Sequence, residues 1–136
     1  MIFGILAKPN LNNFQKVQET LGKFLRNRNS KILIEESLRQ KPDSSFEYTS
    51  KKELIKESDV LIVMGGDGTL LRIAEDAAKN KKPVIGINLG NLGFLTEAPI
   101  SKLENLLDDF FENNLVLDTR ELLQAKIIKS NKLLFK

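Results

Sequence analysis

The pentapeptide Gly65-Gly66-Asp67-Gly68-Thr69 sets one carboxylate among three glycines and a hydroxyl. Glycines let the backbone close on a phosphate chain and turn its N–H groups toward the oxygens. A carboxylate in such a cradle repels its own ligand, so its presence asks for a reason. Asp67 can take the proton of an attacking hydroxyl, help hold a magnesium ion that offsets phosphate charge, or cap a helix that begins there. Arg72, one turn on, can reach back to phosphate as a cation or lie on a solvent face. Thr69 can bind phosphate through its hydroxyl or simply open the helix. The pattern is neither a P-loop nor the G-x-G-x-x-G dinucleotide fingerprint, since neither spacing occurs.

The chain has no histidine and no cysteine. That removes the commonest general base, every Ser-His-Asp arrangement, thiolate nucleophiles, disulfides and the usual zinc ligands. Acid–base chemistry therefore falls to a carboxylate, a lysine or the single tyrosine. A second glycine-punctuated stretch runs Gly86-Ile87-Asn88-Leu89-Gly90-Asn91-Leu92-Gly93-Phe94-Leu95-Thr96. Its glycines permit close approach. Phe94 offers a flat apolar face to a nucleobase or nicotinamide ring, or plugs the core beneath the loop. Asn88 and Asn91 can hold either the turn or a ligand.

The elements around these loops must aim them. The run 59–64 is continuously apolar after Asp59, as in a strand buried on both faces of a parallel sheet. It delivers Gly65 at its carboxyl end, and a helix over 69–80 follows, with Leu70, Ile73, Ala74 and Ala77 inward. Val84–Asn88 is a second buried strand, so the second loop should leave the same sheet edge, where ligands bind in open α/β sheets. Upstream, Ile2–Ala7 and Lys31–Glu35 read as strands. Between them, Phe14, Val17, Leu21, Phe24 and Leu25 recur at helical spacing over 13–27, with Asn12 or Asn13 as cap. Residues 36–50 read as a polar loop and Lys51–Glu57 as a short helix. Ser101 and Glu104 match a capping box for a helix burying Leu103, Leu106, Leu107, Phe110 and Phe111. After about Leu115 the style changes: 122–129 and 132–135 read as two strands around a turn. Alternating strands and helices give an α/β fold, a Rossmann-like, mostly parallel sheet with flanking helices. We expect that unit to fill 1–115, and 116–136 to be the first strands of a truncated β-rich domain.

At 136 residues and 41% hydrophobic content the chain can bury a core without metal or disulfide staples. The net charge of +3 is spread over scattered lysines and arginines, so no nucleic-acid partner is expected. No apolar run is long enough for a membrane span, and the start lacks a signal-peptide pattern. The expected setting is soluble and cytoplasmic.

The two loops, in this order, resemble the NAD kinase family. Gly-Gly-Asp-Gly-Thr alone is shared with lipid kinases and phosphofructokinases, but lipid kinases usually continue with Asn-Glu. This chain continues Leu70-Leu71-Arg72, and its G-x-N-x-G-x-x-G-F-L stretch over 86–95 is the discriminating part. The resemblance implies transfer of a phosphoryl group from ATP or another donor to the 2′-hydroxyl of the adenosine ribose of NAD. Asp67 would match the catalytic aspartate. Asp67, Gly68 and Arg72 would match nucleotide contacts, and Phe94 an aromatic lining the NAD pocket. The donor would meet Gly65, Gly66, Gly68 and Thr69, with a divalent cation, usually magnesium, on its phosphates; Asn91 joins the binding residues. The family's Asn-Glu or Asn-Asp motif, much of its NAD pocket and its homo-oligomer contacts belong to a carboxyl-terminal β domain, and that motif does not occur before Lys136. A lipid or sugar kinase of the same superfamily, or a nucleotide-binding fragment without turnover, are the alternatives.

Overall fold

A computed structural model describes the chain except residues 9–13, 40–45, 91–92, 97, 125–126, 130–131 and 136; for 127–129 and 132–135 it describes backbone alone. The caps expected at Asn12 or Asn13, and Asn91, lie outside the described residues. The elements in order are β1 (Ile2–Ala7), α1 (Phe14–Arg26), β2 (Lys31–Glu35), β3 (Glu47–Thr49), α2 (Lys51–Glu57), β4 (Val60–Gly65), α3 (Asp67–Lys79), β5 (Val84–Asn88), β6 (Ala98–Pro99), α4 (Leu103–Phe111), β7 (Ile127–Lys129) and β8 (Lys132–Phe135). Six strands form one sheet in the order β3-β2-β1-β4-β5-β6, and every pairing in it is parallel.

Side-chain alternation sorts the sheet into two faces. Phe3, Ile5, Val60, Ile62 and Met64 point to one side, where α1 brings Phe14, Leu21 and Leu25 and α4 brings Leu103 and Leu107. Leu6, Leu33, Leu61 and Val63 point to the other, against Leu54 and Ile55 of α2 and Ile73 and Ala77 of α3. All six residues of β4 are buried, as its unbroken apolar run requires of a central parallel strand. Each fully buried leucine or isoleucine contributes about 1.5–3 kcal/mol.

Three details depart from the sequence reading. β3 lies within the stretch read as loop, and β6 was not anticipated. Each has only two or three residues and stands at a sheet edge, where pairing leaves almost no apolar pattern. The expected capping box at Ser101 does not form: Ile100–Lys102 is a 3₁₀ turn, and α4 starts after Lys102 with no side-chain cap. A capping box forms instead at α2, where the Ser50 hydroxyl accepts from the Glu53 amide at 3.3 Å and donates to the Glu53 carboxylate at 2.9 Å. Of the strand expected over 122–129, the described residues show β7 at its end, while residues 122–124 have no regular structure, and Leu122 and Leu123 are exposed. β7 and β8 pair antiparallel in a separate sheet of two strands.

Candidate active site

The strand order reverses direction between β1 and β4, because β1 is followed outward by β2 and β3, while β4 leads outward to β5 and β6. A crevice opens at such a switch point, beyond the carboxyl ends of the strands. Gly65 ends β4 there, and α3 begins two residues later with Gly66 as its N-cap. The amides of Asp67 and Gly68 open the helix and have no intrahelical acceptor, so the turn presents donors and a positive dipole end to an anion.

None of the loop's glycines has a positive φ. Their value is space. A Cβ at Gly65 would run into the Thr69 side chain, so Thr69 packs over the end of β4. A Cβ at Gly66 or Gly68 would meet nothing within 4 Å. Those two positions border open volume, which suits the approach of a ligand. Arg72 is exposed one turn into α3; its carbonyl accepts from Lys51 Nζ at 3.2 Å, tying α2 to α3.

Asp67 does not cap α3. Its carboxylate turns to the second loop: Oδ2 accepts from Phe94 N at 2.9 Å, and Oδ1 accepts from Leu95 N at 3.0 Å, Thr96 N at 3.2 Å and Thr96 Oγ1 at 3.2 Å. The Phe94 and Leu95 amides hold its pKa below the usual aspartate value against an opposing effect of burial, with the Thr96 amide and hydroxyl adding smaller pulls in the same direction. Gly93 is a glycine because its Cβ would collide with that same carboxylate. Thr96 is fully buried, and Asn88 at the end of β5 donates to both its carbonyl and its hydroxyl. Asp67 thereby clasps two loops that are far apart in sequence.

Phe94 is 86% exposed, so it does not plug the core, and its backbone amide is bonded to Asp67 of the glycine loop. The structure thus brings together Gly65, Gly66, Asp67, Gly68, Thr69 and Phe94, with Arg72 one turn away. Sequence reasoning missed Thr96. Its signal was faint: a lone threonine closing a loop opened by Asn88, itself at a strand end. Among the described residues no three His, Cys, Asp or Glu side chains gather as a cation site.

The chain is 35% identical over 133 residues to the NAD kinase of Campylobacter lari, covering 98% of this chain and 44% of that protein. It is 33% identical over 129 residues to the NAD kinase of Pseudomonas entomophila, covering 94% of this chain and again 44% of the relative. The chain therefore spans less than half the length of these curated relatives. Among solved structures, yeast NADH kinase complexed with NADH superposes with a TM-score of 0.67 at 17% identity, over 82% of this chain and 38% of that one, a likeness of fold. The family model of the ATP-NAD kinase N-terminal domain matches residues 3–115, which are the parallel sheet and its four helices, and on that match the chain belongs to the ATP-NAD kinase family.

Proposed function

We propose that this chain is the nucleotide-binding half of an NAD kinase, which moves the terminal phosphoryl group of ATP to the 2′-hydroxyl of the adenosine ribose of NAD. The observation that carries the reading is the clasp: an ionised carboxylate at the switch point, flanked by open space at Gly66 and Gly68 and by an exposed aromatic ring. The names of the relatives support the substrate. In the reaction the ribose oxygen bonds to the γ-phosphorus, the bond from that phosphorus to the β–γ bridging oxygen breaks, and ADP leaves. The hydroxyl proton passes to Asp67 or to water. A carboxylate with a lowered pKa is a weak base, but a loose phosphoryl transition state asks chiefly for orientation. Asp67 would accept the hydroxyl's hydrogen bond and aim its oxygen, while the opening amides of α3, Thr69 and Arg72 receive phosphate charge. A magnesium ion would ride on the donor's phosphates, as that ion commonly does. We read the full-length enzyme as a cytoplasmic homo-oligomer; among the described residues no helix is long and apolar enough to cross a membrane.

The test is to assay the full-length protein with ATP and magnesium against NAD, a diacylglycerol and fructose 6-phosphate. Phosphorylation of NAD alone is expected, and Asp67→Asn should lower that turnover by about 10²–10⁴-fold. Preference for either other acceptor would overturn the reading, and wild-type turnover in Asp67→Asn would remove Asp67 from it.

A further inference from the structure

The hydrogen bonds behind Asp67 have only one possible direction, and that direction can be worked out atom by atom. Gly90 N donates to Asn88 Oδ1 at 2.7 Å, and a backbone N–H can only donate. The other arm of the Asn88 amide is therefore its NH₂ group. It reaches Thr96 Oγ1 at 3.0 Å and the Thr96 carbonyl at 3.2 Å. Because that NH₂ only donates, the Thr96 hydroxyl accepts from it and keeps its own single proton. The remaining neighbour in reach is Asp67 Oδ1 at 3.2 Å, and an ionised carboxylate only accepts. The relay runs one way, from Asn88 to Thr96 to Asp67.

The two carboxylate oxygens are loaded unequally. Oδ1 takes three donors, from Leu95, Thr96 and the Thr96 hydroxyl, whereas Oδ2 takes only Phe94 N. Each oxygen offers about two lone-pair directions. Oδ1 is saturated and anchored to buried Thr96, and Oδ2, bonded only to the amide of exposed Phe94, retains capacity for a further donor. Thr96 and Asn88 are buried, so water does not compete for the anchoring bonds.

We propose that Thr96 is the positioning residue of Asp67: its hydroxyl, oriented by Asn88, anchors Oδ1 and leaves Oδ2 to face substrate. The threonine methyl has a separate duty, since it lies 3.2 Å from where a Cβ on Gly86 would stand and so packs beneath β5. Thr96→Val keeps that shape and deletes the donor, while the Asn88 amide retains the carbonyl of residue 96. Thr96→Ser keeps the donor and deletes the methyl. The pair separates hydroxyl from packing. Among the described residues, the charged neighbour on the element that carries Asp67 is Arg72, in the following turn of α3.

The test follows the Asp67 carboxyl carbon by NMR through an acid titration of the 136-residue chain. The midpoint should shift upward in Thr96→Val and stay at the wild-type position in Thr96→Ser. An unmoved midpoint in Thr96→Val, or an equal rise in both variants, overturns the assignment. A measurement on the wild-type chain guards against misfolded variants. The Thr96 hydroxyl proton and the amide protons of Phe94, Leu95 and Thr96 should all titrate with the Asp67 midpoint, and a hydroxyl proton indifferent to that titration also overturns it. The consequence for turnover rests on the kinase reading. In the full-length enzyme Thr96→Val should move the acid limb of the kcat profile upward in pH. If the carboxyl midpoint moves and the acid limb does not, Asp67 is not the reacting carboxylate, and Thr96 remains its positioning residue.

Discussion

Four donors converge on the Asp67 carboxylate, and their pull sets its response to acid. The folded pKa lies below that of an unfolded aspartate. The clasp's contribution is therefore complete above the unfolded value, near pH 4, and drains away as pH falls through the folded one. Protonated aspartic acid and asparagine share one fault here, a donor aimed at donors. The stability difference between wild type and Asp67→Asn should be largest near neutrality and shrink in strong acid, as denaturant titrations across that range would show; a difference independent of pH would mean the clasp is not electrostatic. Gly68 tests the other side of the site. Its Cβ would enter open volume, so Gly68→Ala should leave the melting temperature within a degree or two while weakening ATP binding, measured by calorimetry. The glycine loop stood out in the sequence because a carboxylate among three glycines follows a continuously apolar strand, whereas Phe94 could be read either as a ligand face or as a core plug. The orientation of Asp67 was not legible: hydrogen bonds reaching 27 to 29 residues along the chain leave no local pattern.

At the scale of elements, every helix expected from periodicity is present, because a buried stripe repeats within its own segment. The failures were the short edge strands β3 and β6 and the capping box expected at Ser101, which sits in a 3₁₀ turn, while the unread Ser50-x-x-Glu53 pattern caps α2. Local sequence alone cannot rank such patterns, since the approach of the preceding chain decides which serine reaches an amide. Three helices end on a left-handed residue, Asn29, Lys81 and Asn113, with the next amide bonding back to Leu25, Ala77 and Asp109 respectively. Asparagine tolerates that conformation; lysine adopts it at a cost of about 1–2 kcal/mol. Glycine removes the cost but adds about 0.5–1 kcal/mol of unfolded-state freedom. Lys81→Gly should therefore stabilise the chain by up to about 1 kcal/mol in thermal or denaturant melts; a loss of stability would show that Lys81 contributes something beyond its backbone. Arg28 closes the α1–α4 corner: its guanidinium lies 3.7 Å over the Phe24 ring and 5.3 Å from that of Phe111, and it bonds Asp108.

The whole molecule divides by burial. The parallel sheet has helices over both faces, whereas Val116 is 95% and Leu123 98% exposed. We expect 1–115 to be a self-sufficient unit. Deleting 116–136 should leave its melting temperature unchanged and reduce self-association in sedimentation, because isolated apolar strands invite pairing; a large fall in melting temperature would mean that the tail belongs to the core. The 136-residue chain alone should yield no NADP from NAD, ATP and magnesium, since one wall of the site neither excludes water nor orients the ribose. Steady production would show that this chain is a sufficient enzyme. The Phe3 ring lies 5.7 Å from that of Phe110 and 5.8 Å from that of Phe111. Phe3 in the first strand of the sheet unit is thus sheltered by that unit's last helix. At about 5–20 residues per second, roughly a hundred codons separate them, so β1 waits on the order of 5–20 seconds on the ribosome with that flank uncovered. This nascent-chain interval is when a holding chaperone has most to grip, and slow codons ahead of α4 would lengthen it.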